Sequence, residues 1–156
     1  MLRLLSGISF LFFTLSLVGC QSNAAEPSIS GEQLYLTQCA SCHQIDGQGI
    51  PGIYPPLAGS PWVTGSPEPL ILIVLHGIKG PLEVNGQIYQ GVMPAHARRL
   101  REEDITAILN FIRQAWGNHA DSIALDQVRH LKRSIPRKTP WTETELSAFR
   151  KEALER

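Results

Sequence analysis

The chain has 156 residues, which is enough for one small folded domain with short additional segments. Hydrophobic residues make up 43% of it and charged residues 18%, a balance typical of a globular protein rather than a disordered one. The formal net charge is +0 at pH 7, which argues against a general nucleic-acid-binding protein, so we expect no nucleic-acid partner.

Residues 1–19 are predicted to be an export signal and not part of the fold. An apolar run follows Arg3 and is shorter than the ~20 residues that a membrane-spanning helix needs. The run ends in Leu-Val-Gly before Cys20, and this resembles the lipobox of bacterial lipoproteins, in which the cysteine is acylated and becomes the first mature residue. The alternative is an ordinary signal peptide that is cleaved near residues 24–25.

The cysteine count favours the lipoprotein interpretation. The chain has three cysteines, and two of them, Cys39 and Cys42, lie in one short motif. An unpaired third cysteine in an exported protein needs an explanation, which acylation of Cys20 would supply. Each buried CH₂ of an acyl chain contributes about 0.8 kcal/mol to membrane binding. We therefore expect an exported protein that is lipid-anchored on the periplasmic side of a membrane, with residues 20–29 as the tether.

The first half of the fold is predicted to contain two helices separated by a long loop, followed by a β-hairpin. Ser30 is a suitable N-cap for a short helix over residues 31–40, and residues 44–65 are rich in glycine and proline, which indicates irregular loop. Ser-Pro-Glu at residues 66–68 predicts the start of an apolar helix that ends at Gly77. Asn-Gly at residues 85–86 predicts a short β-hairpin.

The C-terminal half is predicted to be helical. The clearest helix spans residues 102–116, where apolar side chains repeat at helical spacing along one face: Ile105, Ile108, Leu109, Ile112 and Trp116. Another helix is expected over residues 121–132. The last one begins at a capping box formed by Thr142 and Glu145, and Trp141 and Leu146 are placed to pack around it as a hydrophobic staple.

Two cofactor signatures overlap near residue 45. The sequence GQGIPG at residues 47–52 matches the GxGxxG of dinucleotide-binding turns, which function only between a preceding strand and a following helix. Here a predicted helix precedes the glycines and several prolines follow them. We therefore interpret this match as coincidence.

The sequence CASCH at residues 39–43 predicts covalent haem attachment. Two thiols at this spacing can form thioethers with both vinyl groups of one haem, and the adjacent His43 can then bind the iron. A zinc site would need a second Cys or His pair at matching spacing, and a redox dithiol would need a thioredoxin-like setting. The sequence contains neither.

A second iron ligand is expected from Met93. Only two methionines are present, and the other is the initiator. Met93 lies in a Gly/Pro-containing loop without helical periodicity, where it is not simple core filler. His76 and His96 are rival ligands, and an open coordination position is a third possibility. We expect His76 to cap its helix or contact a haem propionate, and His96 to be solvated.

Together, these features resemble the class I monohaem cytochromes c over residues 30–117. The resemblance rests on CASCH beside an N-terminal helix, a proline-containing loop, a downstream Met-Pro and an amphipathic helix after it. It implies an all-α fold of three to four core helices around one haem, with a short β-hairpin before the methionine. Residues 118–156 lie beyond the minimal family pattern and are expected to form a C-terminal helical extension.

The resemblance also implies residue roles. Cys39 and Cys42 would be the thioether positions, His43 the proximal ligand and Met93 the distal one, while the carbonyl of Pro55 would accept the ring N–H of His43. Two further expectations are that the first helix packs, through Gly31 and Tyr35, against the later helix near Phe111, and that Trp62 is either a haem-propionate contact or a core aromatic.

The implied function is electron transfer and not catalysis. His/Met ligation saturates the iron, so such a site passes single electrons. The expected partners are redox proteins, with electrons moving from a dehydrogenase or quinol complex to an oxidase or reductase. The alternative is a dedicated haem c subunit of an exported, quinoprotein-type dehydrogenase. A haem enzyme or gas sensor from which Met93 dissociates is a third hypothesis.

Overall fold

A computed structural model describes residues 29–154. The predicted signal peptide, Cys20 and almost all of the predicted tether lie outside the described residues. The elements follow one another in this order: α1 (Gly31–Gln38), α2 (Ala40–His43), α3 (Pro61–Thr64), α4 (Pro67–His76), β1 (Ile78–Val84), β2 (Gln87–Met93), α5 (Glu102–Ile112), α6 (Leu125–Ser134) and α7 (Glu143–Leu154). In the described part of the chain, no helix is both long enough and apolar enough to cross a membrane.

Helices α1 and α5 pack closely against each other. Gly31 makes this possible, because a Cβ at that position would lie 2.2 Å from the carbonyl oxygen of Ala107. One turn later, the ring of Tyr35 contacts those of Phe111 and Trp116, with ring centroids 5.5 and 5.0 Å apart. Side-chain capping by Ser30, which accepts a hydrogen bond from Gln33 N, begins α1 as the sequence predicts.

Helix α4 forms the centre of the core. Its residues from Leu70 to Leu75 are all buried, which is the pattern of a helix with neighbours on every side. Helices α3, α6 and α7 pack against it. Gly77 ends the helix at φ 79, a left-handed conformation that glycine adopts without strain.

The two strands form an antiparallel hairpin. Asn85 and Gly86 make the turn with φ values of 53 and 78, the positive values that a type I′ turn requires. The register pairs Ile78 at the start of β1 with Met93 at the end of β2. The hairpin therefore brings Met93 back beside the C-terminal end of α4.

Helix α5 ends earlier than its apolar periodicity predicts. It stops at Ile112, and Trp116 adopts φ 53 four residues later. The chain turns there because Arg113 reaches away from the helix, donating hydrogen bonds to the carbonyls of Asp121, Val63 and Gly65 at 2.7, 2.7 and 3.0 Å. These tertiary hydrogen bonds override the local helical pattern.

Two other elements also differ from the sequence-based expectation. Helix α6 begins at Leu125, later than predicted, and the short helix α3 lies inside the segment predicted to be loop. Helix α3 forms because Ser60 accepts a hydrogen bond from Trp62 N and Pro61 occupies the first helical position.

Residues 118–154, the C-terminal extension, pack along the rest of the chain. Helix α6 contacts α4 and α5, and two ion pairs join it to the start of α5: Lys132 with Glu102 at 2.5 Å, and Arg129 with Glu103 at 2.6 Å. Helix α7 contacts β1 and α4, and Leu146 is fully buried. The extension therefore shares one hydrophobic core with the preceding residues.

Candidate functional site

An apolar cavity lies between the helices and the hairpin. It holds about 1200 Å³ including the space at its open mouth. Its walls come from α1, α2, the loop after α2, α4, both strands and α5, and they include Leu70, Ile73, Val74, Leu82 and Ile108. The four residues predicted to attach and ligate haem all line it: Cys39, Cys42, His43 and Met93.

The two cysteines reach the cavity from the junction of α1 and α2. Neither is in a disulfide within the described residues, and both are partly buried. Burial and, to a smaller extent, the neighbouring Cys42 raise the pKa of the Cys39 thiol to about 11, although Arg99 acts in the opposite direction. Cys39 is therefore a neutral thiol at pH 7. Within residues 29–154, no group of three or more His, Cys, Asp or Glu side chains is arranged to hold a metal ion.

The imidazole of His43 is oriented by the chain itself. Its Nδ1 lies 3.0 Å from the carbonyl oxygen of Pro55, the partner that the resemblance implies. Because a carbonyl can only accept, Nδ1 carries the proton and donates, which leaves the lone pair of Nε2 available to a metal ion. Burial lowers the pKa of His43, although the hydrogen bond to Pro55 acts in the opposite direction, so the ring is neutral at pH 7.

The loop that carries Pro55 is tightly constrained by glycines. Gly47, Gly49 and Gly52 have φ values of 68, 64 and 75. A Cβ on Gly47 would lie 2.4 Å from the ring of Trp116, and the carbonyl of Gly47 accepts hydrogen bonds from the backbone N–H groups of residues 57 and 58. The GxGxxG pattern therefore shapes the loop behind His43, which is consistent with its interpretation as a coincidental match to dinucleotide-binding turns.

Asn118 also holds this loop, and the sequence did not reveal it. Its side chain accepts a hydrogen bond from Gly59 N at 2.8 Å and donates to the carbonyls of Leu57 and Ile112 at 3.1 and 2.7 Å. It is only 2% exposed. Nothing in the local sequence marks it, because all three of its hydrogen bonds are to residues distant along the chain or on the preceding helix.

Met93 lies at the end of β2 and is partly buried. The backbone around it is packed against the end of α4, since a Cβ on Gly77 would lie 2.4 Å from the carbonyl oxygen of Met93. Pro94 follows and also lines the cavity. The backbone that carries the methionine side chain is thus packed against the end of α4.

The expectation that His96 is solvated is wrong. It is 5% exposed and lines the same cavity as Met93. The reason is that the turn after Pro94 is hydrogen-bonded to α4, with His96 N donating to Val74 O at 3.0 Å. Burial lowers the pKa of His96, and the positive charge of Arg99 lowers it further.

The side chains of His76 and Trp62 both interact with backbone carbonyls of the protein. His76 is buried at the end of α4 beneath the C-terminal extension and is not among the residues that line the cavity. Burial and then the charge of Arg137 lower its pKa, while the backbone carbonyls of Ile135 and Arg137 oppose the shift. The indole N–H of Trp62 donates to the carbonyl of Glu83 at 2.9 Å.

The donor set fits a covalently attached haem. One apolar cavity presents two thiols, an imidazole nitrogen with its other nitrogen committed to a carbonyl, and a thioether sulfur. An apolar wall suits a porphyrin plane, and imidazole with thioether is a known axial pair for haem iron. The GxGxxG segment has no strand before it in the described structure, so it lacks the context for a dinucleotide.

Comparison with known proteins shows which family the chain is similar to. A family model described as cytochrome c matches residues 28–116. The chain is 49% identical over 92 residues to cytochrome c-552 of Thermus thermophilus, an alignment that covers 56% of this chain and 69% of the relative.

More distant similarity extends to cytochrome c subunits of dehydrogenases. The chain is 39% identical over 95 residues to the cytochrome c subunit of alcohol dehydrogenase (quinone) of Gluconacetobacter polyoxogenes, which covers 60% of this chain and 20% of that subunit. It is 38% identical over 97 residues to the gluconate 2-dehydrogenase cytochrome c subunit of Pantoea cypripedii, covering 61% and 22%. The chain thus spans about a fifth of these two relatives.

Proposed function

This chain belongs to the cytochrome c family, whose members hold a covalently attached haem c, and we propose that it carries single electrons between redox proteins. The observation that carries the proposal is the joint placement of four side chains, Cys39, Cys42, His43 and Met93, in the wall of one apolar cavity. When bound there, haem supplies an iron centre that gains and loses one electron.

We propose a specific role for each of these residues. Cys39 and Cys42 would form the two thioether bonds with the haem, and Nε2 of His43 and the sulfur of Met93 would bind its iron. Pro55 holds the ring of His43 in the tautomer that exposes Nε2 and makes the imidazole a stronger donor. In this scheme the haem-binding residues belong to a domain of residues 30–117, with three to four core helices and the hairpin before Met93.

Electron transfer follows from the saturated iron. With imidazole and thioether both bound, no coordination position is open to oxygen or peroxide, and the protein acts as a carrier and not as a catalyst in its own right. The buried, apolar lining keeps water from the cofactor and thereby tunes its potential. Encounters with partners are expected to be weak and transient, as is usual for redox proteins.

The proposed partners are a dehydrogenase or quinol complex as donor and an oxidase or reductase as acceptor. The export signal and the Cys20 lipid anchor, both still proposals, would confine these encounters to the periplasmic side of a membrane. Mass spectrometry of the mature protein tests the anchor, because an unmodified N-terminus at any residue other than Cys20 would disprove it.

A second candidate function is that of a dedicated haem c subunit in an exported, quinoprotein-type dehydrogenase. The similarity to two dehydrogenase cytochrome c subunits favours it. Purification under native conditions separates the two functions: a subunit brings down a large dehydrogenase in stoichiometric amount, whereas a mobile carrier is recovered alone.

The ligand assignment is tested by replacing Met93 with alanine in the full-length holoprotein. We expect loss of the absorption band that arises from thioether–iron bonding and a gain of imidazole binding to the oxidised protein. His96→Ala is the matched control, since His96 lies in the same cavity and was the rival ligand; it should retain the band. If the band persists in Met93→Ala and disappears in His96→Ala, the assignment is wrong. Carbon monoxide binding by the reduced wild type at neutral pH would instead support a gas-binding function.

A further inference from the structure

The C-terminal extension runs along the outer edge of β1. Trp141 forms a parallel β-bridge with Ile78. The backbone N–H of Trp141 donates to Gly77 O at 2.9 Å, and its backbone carbonyl accepts from Lys79 N at 2.8 Å. Further along the same edge, Glu83 N donates to the carboxylate of Glu143 at 2.9 Å. The extension thereby satisfies backbone groups that an uncovered edge strand would leave unpaired.

This edge is directly linked to Met93. Ile78 is paired on one side with Trp141 and on the other with Met93, so the three residues lie next to one another across the sheet. Gly77, which accepts the hydrogen bond from Trp141, is also the residue whose Cα approaches the carbonyl of Met93 so closely that no Cβ fits. A displacement of Trp141 would therefore act on the backbone that surrounds Met93.

Trp141 is itself firmly held. Its side chain is 5% exposed, and the guanidinium of Arg137 lies 3.9 Å from the centre of its ring, within the range of a cation–π contact. The same guanidinium pairs with the carboxylate of Glu145 at 2.7 Å, and Glu145 in turn accepts a hydrogen bond from Thr142 N at 2.9 Å. The bridge to β1 is thus the end of a connected set of contacts within the extension.

From these contacts we infer that Trp141 is a positioning residue for the iron ligand Met93. The inference rests on the proposed function, in which Met93 binds the iron. The C-terminal extension is hydrogen-bonded to β1, β1 is paired with the end of β2, and Met93 is thereby kept within the cavity. Weakening the contact between the extension and β1 increases the fraction of molecules in which the sulfur is away from the iron. The apparent affinity for an external ligand then rises in proportion to that fraction.

The experiment measures imidazole binding to the oxidised, full-length holoprotein. We expect Trp141→Ala to tighten apparent imidazole binding by about tenfold, which corresponds to about 1.4 kcal/mol, and to weaken the thioether–iron absorption band. Val128→Ala is the matched control, because Val128 is fully buried in α6 of the same extension but makes none of the described contacts with β1. It should lower the melting temperature while leaving imidazole affinity within about twofold of the wild type.

A second variant covers the case in which Trp141→Ala does not fold. Arg137→Gln removes the cation over the indole ring and the ion pair with Glu145 while leaving the buried ring in place. It should tighten imidazole binding by about two- to threefold. If Trp141→Ala and Val128→Ala shift imidazole affinity equally, or if Arg137→Gln leaves it unchanged, the extension is a general stabiliser and the inference is overturned. Failure of the proposed function gives a different result, since Met93→Ala would then bind imidazole no better than the wild type.

Discussion

Replacing Asn118 with alanine removes three buried hydrogen bonds at once. The variant would leave the N–H of Gly59 and the carbonyls of Leu57 and Ile112 without their present partner. Each hydrogen bond contributes about 1 kcal/mol net, and a buried group that stays unsatisfied costs more. We therefore expect Asn118→Ala to lower the free energy of unfolding by about 3 kcal/mol, which for a chain of this length is a fall of roughly 10 °C in melting temperature.

A second substitution at this position distinguishes the loss of hydrogen bonds from the loss of packing. Asn118→Asp has nearly the same shape and keeps the acceptor for Gly59 N, but it directs a second carboxylate oxygen at two carbonyls. We expect it to be less stable than Asn118→Ala at pH 7. Burial raises the pKa of such a carboxyl group, so its folded state is favoured by protonation, and the difference from alanine should shrink as the pH falls.

The assay is denaturant unfolding of the holoprotein, followed by circular dichroism at pH 7 and pH 5. Gln114→Ala is the control within the same turn, because Gln114 is exposed and its side chain donates one hydrogen bond, to Ala120 O. It should change the free energy of unfolding by less than about 0.5 kcal/mol. A loss below about 1 kcal/mol for Asn118→Ala, or an aspartate variant as stable as the wild type at pH 7, would refute the reasoning.

Three further predictions concern the loop, the α5 turn and the buried histidine. Gly47→Ala should lower the free energy of unfolding by about 1–3 kcal/mol more than Gly86→Ala. Both glycines have positive φ, but only at Gly47 would a Cβ meet the ring of Trp116. Urea titration measures the difference. Arg113→Lys should still cost about 2–3 kcal/mol in the same titration, since one ammonium cannot replace a guanidinium that donates to three carbonyls, and wild-type stability in this variant would contradict the role. His76 has a lowered pKa in the folded protein, so its neutral form contributes stability that is present above the unfolded value of 6.5 and is lost as the pH falls through the folded value. His76→Gln should therefore show a smaller loss of stability between pH 8 and pH 5 than the wild type, and an equal loss in both would show that another group titrates.

The position of the C-terminal extension bears on the two candidate functions. Because α6 and α7 pack against α4, α5 and β1, the contacts of the extension are made within its own chain. In the second candidate function, the face of the extension that covers β1 would therefore not be available to a dehydrogenase partner.

Local sequence determined the features that depend on neighbouring residues. CASCH places two thiols and an imidazole at the end of one helix, Asn85-Gly86 makes the hairpin turn, and Ser30 caps its helix. Each of these depends on covalent spacing or on hydrogen bonds within three or four residues, which the chain carries with it whatever its tertiary surroundings.

Tertiary structure alone decided the remaining features. The burial of His96, the early end of α5 at Arg113, the hydrogen bonds of Asn118 and the bridge from Trp141 to Ile78 all join segments that are far apart in the sequence. Such contacts leave no local period or spacing, because a carbonyl or a strand edge looks the same along the chain whether or not a distant side chain reaches it. The sequence therefore predicted which groups would hold a haem, and the fold determined that these groups line one cavity.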